Sequence, residues 1–311
     1  MKTKQSFYSH GKLLLTGEYL VLDGSNALAI PTRLGQWLYV NEIEEVDSKL
    51  LHWKSMDHSG NCWFETEIHF ETPENANPDH KIHNTLLKIL NTAKQLNPKF
   101  LSEEKGYYIE TKLEFNSAWG LGSSSTLINN IAQWANVNAY ELLEKSFGGS
   151  GYDIACAKHH KPIVYKRNLG KPIVTETDFD PPFKENLFFI YLNQKQDSKA
   201  SIKHYQSLPI KDFDTAEKKV NEITEKMIEC TDLETFEILI NTHEEIISKI
   251  IKTPTVKSRL FPDYHNSLKS LGGWGGDFVL ATGSPEDMSY FKDKGYTTII
   301  PYSEMVYLNE K

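Results

Sequence analysis

The chain has 311 residues, 39% of them hydrophobic and 24% charged, a composition that describes a globular protein of two domains or one large α/β domain and excludes a disordered chain. With 34 Lys and Arg against 42 Asp and Glu, the net charge of −8 argues against a nucleic-acid groove, because binding a phosphate backbone needs clustered positive charge. Cys62, Cys156 and Cys230 show neither CxxC nor CxH spacing, the start "MKTKQSFYSHGK" lacks an apolar signal core, and no run approaches the ~18 apolar residues of a membrane helix, so a cytoplasmic protein without disulfide framework, zinc site or membrane contact is expected.

In chain order, the first part reads as β-rich. "KLLLTGEYLVLDG", "ALAIPTRLGQWLYVNEIEE" and "LLHWKSMDHSGNCWFETEIHFE" carry aromatic and β-branched residues, punctuated by Gly24, Gly35 and "HSGN". The spacing of Ile82, Leu86, Leu87, Ile89, Leu90 and Ala93 predicts a helix over 82–96 with one apolar face. "YYIETKLEF" follows as a strand and runs directly into "NSAWGLGSSST" (116–126). Beyond it, "SSTLINNIAQWANV" has helical spacing, with Ser123 or Ser124 placed to cap the helix. A short helix near 139–146, a second glycine turn "FGGSGYDIACA" and a strand "PIVYKR" complete this region. After about residue 172 come a buried strand "ENLFFIYLN" and helices near 199–207, 213–230 and 232–251. The finish, "LKSLGGWGGDFVLATGSPEDMSYFKDKGYTTIIP", reads as helix end, glycine loop, strand, helix, strand. Helices and strands mixed in both halves suggest two α+β layers, without an internal repeat.

Three glycine-rich stretches stand out: "HGKLLLTGEY" with "LDGSNALA", then "GLGSSST", then "GGWGGD". Glycine removes the Cβ that blocks close backbone approach, and successive amides at a helix start bind anionic oxygens, so 120–126 reads either as a phosphate cradle or as a tight strand-to-helix turn. It is not a Walker loop, because serines and no lysine follow Gly120 and Gly122, and a dinucleotide fingerprint fails for want of its third glycine. "HEEII" (243–247) has Ile247 where a zinc protease needs its second histidine and reads as a helical surface pair; His159-His160 reads as a solvated turn before Pro162.

Taken together, "GKLLLTGEYLVLDGSNALA" (11–29), "NSAWGLGSSST" (116–126), "GSGYDIA" (149–155) and "LGGWGGDFVLA" (271–281) resemble, in order and over nearly the whole chain, the motifs of the GHMP kinases, the family of galactokinase, homoserine kinase, mevalonate kinase and phosphomevalonate kinase. "GYDIA" matches a subgroup labelled by that string. The resemblance implies an α+β, two-domain fold: a ribosomal protein S5-like N-terminal domain (1–172) and a ferredoxin-like C-terminal domain (173–311), with ATP and Mg2+ as cofactors. Gly120, Leu121, Gly122, Ser123, Ser124 and Ser125 are similar to the loop that wraps the nucleotide phosphates. Ser124 is similar to the serine that ligands magnesium, and Trp119, a departure that is unusually bulky beside a phosphate loop, is placed to pack on the adenine instead. Asp153 stands where the family has its catalytic aspartate and Lys12 where mevalonate kinases have the lysine that pairs with it. Glu18, Tyr19, Gly151, Ser201, Gly272 and Gly273 fall on segments that the resemblance places near the acceptor or the phosphates.

The departures are specific. Asn116 stands where the second motif opens with proline, and Trp274 replaces a glycine of the third motif, which implies a reshaped loop there. Leu142 occupies the spacing of a magnesium-binding glutamate found in many mevalonate kinases, with Glu141 and Glu144 nearby. Tyr19 in "GEY", Asp277 in "GGDF" and "SKASI" (198–202) look more like phosphomevalonate kinases. The implied function is an ATP-dependent small-molecule kinase of the mevalonate pathway for isoprenoid biosynthesis, a monomer or homodimer acting on phosphomevalonate or mevalonate. The alternatives are a diphosphomevalonate decarboxylase and a catalytically silent nucleotide-binding member.

Overall fold

A computed structural model describes residues 4–43, 50–69, 80–102, 105–168, 171–209 and 213–307. The chain divides into two compact units. The first comprises Met1–Gly11, Leu34–Ser117 and Gly122–Lys158, and the second Lys12–Arg33, Ala118–Leu121 and His159–Lys311.

Two strands, β1 (Lys4–Leu14) and β2 (Asn26–Ile43), pair with each other and contribute residues to both units. In the first unit β3 (Leu50–Met56) forms a hairpin with β4 (Cys62–His69). The 16-residue helix α1 (Lys81–Leu96) leads to β5 (Gly106–Leu113), which lies parallel to β3 and antiparallel to residues 36–43 of β2. Alternation decides which face is covered: Leu51 and Trp53 of β3 and Leu38 and Val40 of β2 are buried, with the half-buried His52 and Tyr39 between them on the other face. Helices α2 (Ser123–Ala135), α3 (Ala139–Ser146) and α4 (Tyr152–Lys158) complete the unit, and Ile128, Ile131, Leu142 and Ile154 join the same apolar cluster. On α1 the buried face is Leu86, Ile89, Leu90 and Ala93. Ile82, expected on that face, is 51% exposed because it lies one turn before the first buried position.

Helix α2 follows the middle glycine stretch, and buried amides fix it. The Ser9 hydroxyl donates to Asn130 Oδ1 (2.7 Å) and accepts from Asn129 Nδ2 (2.8 Å); Asn130 Nδ2 donates to the Gln36 carbonyl (2.9 Å) and Thr126 Oγ1 to Gln36 Oε1 (2.6 Å). Asn129 and Asn130 sit at 1% and 0% exposure, where a polar group is tolerated only when hydrogen-bonded.

In the second unit, β6 (Ile163–Lys166) pairs with residues 26–29 of β2 and with β7 (Ile173–Glu176), both antiparallel. A separate sheet is built from β8 (Leu187–Tyr191) and three later strands. Between them run α5 (Ser198–Ser207), α6 (Phe213–Ile228), α7 (Leu233–Ile251) and the short α8 (Val256–Leu260). Then come β9 (Leu268–Ser270), β10 (Phe278–Thr282), α9 (Ser289–Asp293), β11 (Ile299–Pro301) and α10 (Tyr302–Met305). The order β11-β8-β10-β9, all antiparallel, is that of a ferredoxin-like sheet, with helices following its first and third strands.

Three sequence expectations are corrected. "YLVLDG" is not strand: β1 stops at Leu14, and Leu20–Asp23 forms one 3-10 turn, because Gly17, Tyr19 and Gly24 all take left-handed backbone that no strand accommodates. The stretch before the third glycine loop is not a helix end but β9, which has β10 to pair with. At α2 the N-cap is Gly122 (φ 88°) and no side chain caps the helix, so neither Ser123 nor Ser124 plays that part. Glu44 and Glu45 of the second predicted strand and Phe70 and Glu71 of the third lie outside the described residues.

Replacing Asn130 with alanine strands the Ser9 hydroxyl and the Gln36 carbonyl in the core. A loss of about 2 kcal/mol is expected in urea unfolding, and a variant as stable as the parent would show that this network does not hold α2.

Candidate active site

In the first unit the candidate residues occupy the starts of two packed helices, α2 and α4. Gly122 turns the chain in left-handed backbone, and its carbonyl accepts from the Ser125 and Thr126 amides. The amides of the first turn therefore include Ser123 and Ser124, which have no partner within the helix and carry the positive end of its dipole. Ser124 is exposed there, and Ser123 and Ser125 are half-buried. Asp153 lies in the first turn of α4, half-buried, after a buried Gly151 at φ 91°. Leu142 is fully enclosed in the core of this unit, while Glu141 and Glu144 are exposed on α3.

In the second unit Lys12, Leu13, Leu14, Trp119, Gly120, Leu271, Gly272, Asp277 and Phe278 line one small cleft. The structure thus brings four predicted residues, Lys12, Trp119, Gly120 and Gly272, to one place. The Lys12 amide donates to the Leu121 carbonyl (3.0 Å), which ties β1 to the middle glycine stretch. Trp119 meets Phe278 edge to face, 5.6 Å between ring centres.

Gly120 is required at its position. Its φ is 67°, and a Cβ there would come within 2.2 Å of the Asp277 carboxylate. Asp277 is itself left-handed at φ 55°, is 7% exposed, and accepts the Gln196 amide on Oδ1 (3.0 Å). Burial pushes its carboxyl above the ordinary value of 3.8, against the opposing pull of the Gln196 amide and of Lys12 and Lys195. The cleft is therefore lined by an ammonium and a carboxylate beside a glycine loop.

The third glycine loop is shaped by what packs on it. Gly273 and Gly276 lie against Gln194 and Gln196 closely enough that a Cβ at either would clash at 2.6 and 2.8 Å. Trp274 turns inward: it is 5% exposed in an apolar cluster with Leu20, Tyr205, Val220, Ile247 and Ile251. Its amide donates to the Tyr19 hydroxyl (3.1 Å), and Tyr19 stacks on Tyr205 at 5.5 Å. Ser201 accepts from Gln196 Nε2 (2.9 Å) and stands beside the same Tyr19 hydroxyl. Tyr19, Ser201 and Gly273 are thereby joined through Gln196 and Trp274.

Glu18 is 1% exposed and turned into the unit, where its carboxylate pairs with Lys269. His243 Nε2 lies 3.3 Å from Glu18 and accepts the Gly17 amide (3.0 Å), so the neutral ring carries its proton on Nδ1. His243 and Glu244, expected as a surface pair, are buried at 0% and 3% because α7 turns them toward β9. Desolvation raises the Glu18 carboxyl to about 7, opposed by Lys269, and holds His243 well below 6.5, aided by Lys269. Sequence reasoning missed Gln196, Lys269, His243 and Glu244 as members of this surround; only "HEEII" offered a signal.

No family model matches the sequence, and no curated protein matches it. Solved structures do. The Methanococcus jannaschii mevalonate kinase superimposes with a TM-score of 0.71 at 15% identity, covering 99% of each chain. Lactococcus lactis galactokinase complexed with galactose gives 0.70 at 14% identity, covering 98% of this chain and 95% of that one. Streptococcus pneumoniae phosphomevalonate kinase in complex with phosphomevalonate and AMPPNP gives 0.65 at 15%, covering 93% and 95%. The chain has the α+β fold of the GHMP kinases.

Two outcomes follow. Gly120→Ala should displace the Asp277 carboxylate and strain the backbone at φ 67°, with a loss of about 1–3 kcal/mol expected in urea unfolding; an unchanged midpoint would show that the glycine is not required there. Between pH 4.5 and about 7 the folded protein keeps a Glu18 proton that the unfolded chain has released, so the contribution of Glu18 to stability falls as pH rises. His243 acts in the opposite direction below 6.5, and Lys269 stays charged throughout. Glu18→Gln removes only the falling part, so the variant should gain stability relative to the parent as pH rises across that window in urea titrations; a constant difference would show that Glu18 does not titrate there.

Proposed function

We propose that this protein is an ATP-dependent kinase of the GHMP family that transfers the γ-phosphoryl group of ATP to a mevalonate-pathway acceptor, phosphomevalonate or mevalonate. The observation that carries this reading is the cleft of the second unit, where Lys12 and Asp277 stand with Gly120 and Gly272, in a fold shared with kinases over nearly the full chain. In this reading residues 1–172 hold the ATP loop and the catalytic aspartate, and residues 173–311 form the ferredoxin-like domain.

Phosphoryl transfer is mostly positioning and charge neutralisation. The acceptor oxygen bonds to the γ-phosphorus as the bond to the β–γ bridging oxygen breaks and ADP leaves. The amides of Ser123 and Ser124 and the glycines around them are suited to receive phosphate oxygens, and Trp119 offers a ring face for the base. Asp153 takes the acceptor hydroxyl proton or orients that hydroxyl, and the Lys12 ammonium steadies the incipient alkoxide. Tyr19, Ser201 and Gly273, joined as described, form a wall suited to the acceptor, with Gly151 preceding Asp153.

Among the described residues no three His, Cys, Asp or Glu side chains group to hold a metal ion, and Leu142 supplies no ligand. Magnesium fits best as part of the incoming nucleotide complex, where it neutralises phosphate charge, with the Ser124 hydroxyl as the proposed protein contact. No helix among the described residues is long and apolar enough to cross a membrane. The proposed acceptor is a small molecule and the proposed compartment the cytoplasm.

The test is ADP release from Mg-ATP against mevalonate, phosphomevalonate, diphosphomevalonate, homoserine and galactose, with products identified by mass. One acceptor gaining one phosphoryl group is expected. Release of carbon dioxide would select the decarboxylase, and nucleotide binding without any turnover the silent reading. A hydroxyl acceptor needs help losing its proton and a phosphate acceptor does not, so Asp153→Asn should cost about 100-fold or more in kcat on mevalonate and far less on phosphomevalonate. Ser124→Ala should raise the magnesium concentration needed for half-maximal rate; an unchanged requirement removes this hydroxyl as a metal contact.

A further inference from the structure

Lys269 is a fully buried lysine in β9, two residues before Leu271 and three before Gly272, which line the cleft. An ammonium has three N–H donors, and here three acceptors meet them: the Glu18 carboxylate, Glu244 Oε1 (3.2 Å) and the Ser270 carbonyl (2.6 Å). Glu244 uses its remaining capacity on the Ser270 amide (3.1 Å) and hydroxyl (2.9 Å). The loop of Glu18 is also held to α7 beside this cluster, where His243 Nε2 accepts the Gly17 amide (3.0 Å). One charge thus fastens three segments: the loop at 17–19, the start of the third glycine loop and helix α7.

A hydrophobic isostere of a buried ion pair is often neutral or favourable for stability, so stability alone does not explain such a cluster. What an ion cluster supplies and apolar packing does not is a fixed distance and register between the groups it joins. Here the joined groups are the two loops that meet again at Tyr19 and Trp274 and whose neighbours, Lys12 to Leu14 and Leu271 to Gly272, line the cleft.

We infer that Lys269 is a positioning residue: its buried ammonium, shared between Glu18 and Glu244, sets the first and third loops at the spacing the cleft needs for phosphoryl transfer. The kinetic part rests on the proposed kinase activity.

Lys269→Met alone leaves two carboxylates around an uncharged side chain and is expected to fold poorly. The informative variant is the double substitution Glu18→Gln with Lys269→Met, which removes one charge of each sign, keeps the volume and leaves the Glu244 carboxylate held by the Ser270 amide and hydroxyl. It is expected to stay folded, with kcat/KM for the acceptor lowered about 10- to 100-fold, the scale of a misplacement of about 1 Å. Hydrogen exchange followed by mass spectrometry should speed up in peptides covering 15–20 and 269–277, and not in peptides from β8 or α6. A folded double variant with parental kcat/KM, or exchange that rises uniformly across the second unit, would reduce the cluster to a structural role and overturn the inference. If the unmodified protein turns over none of the acceptors, the kinase reading fails separately, and the exchange pattern alone decides whether Lys269 sets the loops.

Discussion

A single ammonium at zero exposure ties together three segments of the second unit. An uncompensated buried charge costs several kcal/mol, so the folded unit has to supply acceptors around Lys269. Two carboxylates and a backbone carbonyl meet that demand, and each brings its own segment. The short strand β9, the inward turn of His243 and Glu244 on α7 and the left-handed backbone around Glu18 are all consistent with this one requirement. His243 stays neutral because the same ammonium and its own burial oppose a second positive charge.

The cleft repeats the logic with fewer charges. In a chain of net charge −8, an anion is held only where local groups outweigh the global field. Lys12 supplies one such charge, and the backbone around Gly120 and Gly272 presents amides without side chains in the way. Asp277 limits the attraction, since its carboxylate lies against Gly120 and is engaged by the Gln196 amide and the nearby lysines. Trp274, the residue that departs most from the third motif, resolves its bulk by leaving the loop surface for an apolar cluster, so the loop keeps its glycines where close packing demands them.

Residues whose role is set by their own backbone were legible before the structure. Gly120, Gly122 and Gly272 take positive φ, and the motif spacing marked all three. Helices α1, α2, α3, α5, α6 and α7 followed from periodicity, and β4 from aromatic and β-branched content, because those signals repeat within a few residues. The errors have a common origin. "YLVLDG" has strand composition but three left-handed residues around it, and "LKS" before the third loop became strand only because β10 lies beside it. His243 looked like a surface residue since nothing within one helical turn announces that α7 packs its face on β9.

Sequence alone determined the glycine turns, most of the helix and strand segments, the net charge and the order of four motifs that point to phosphoryl chemistry, because each depends on neighbours along the chain. The tertiary structure decided what those motifs touch. Glu18 and Lys269 lie 251 residues apart, Gln36 and Asn130 lie 94 apart, and Gly120 is separated from Asp277 by most of the second half of the chain. Pairings at such distances are selected by burial, where an ammonium or an amide without a partner is too costly to keep, and that cost exists only once the chain has folded around them.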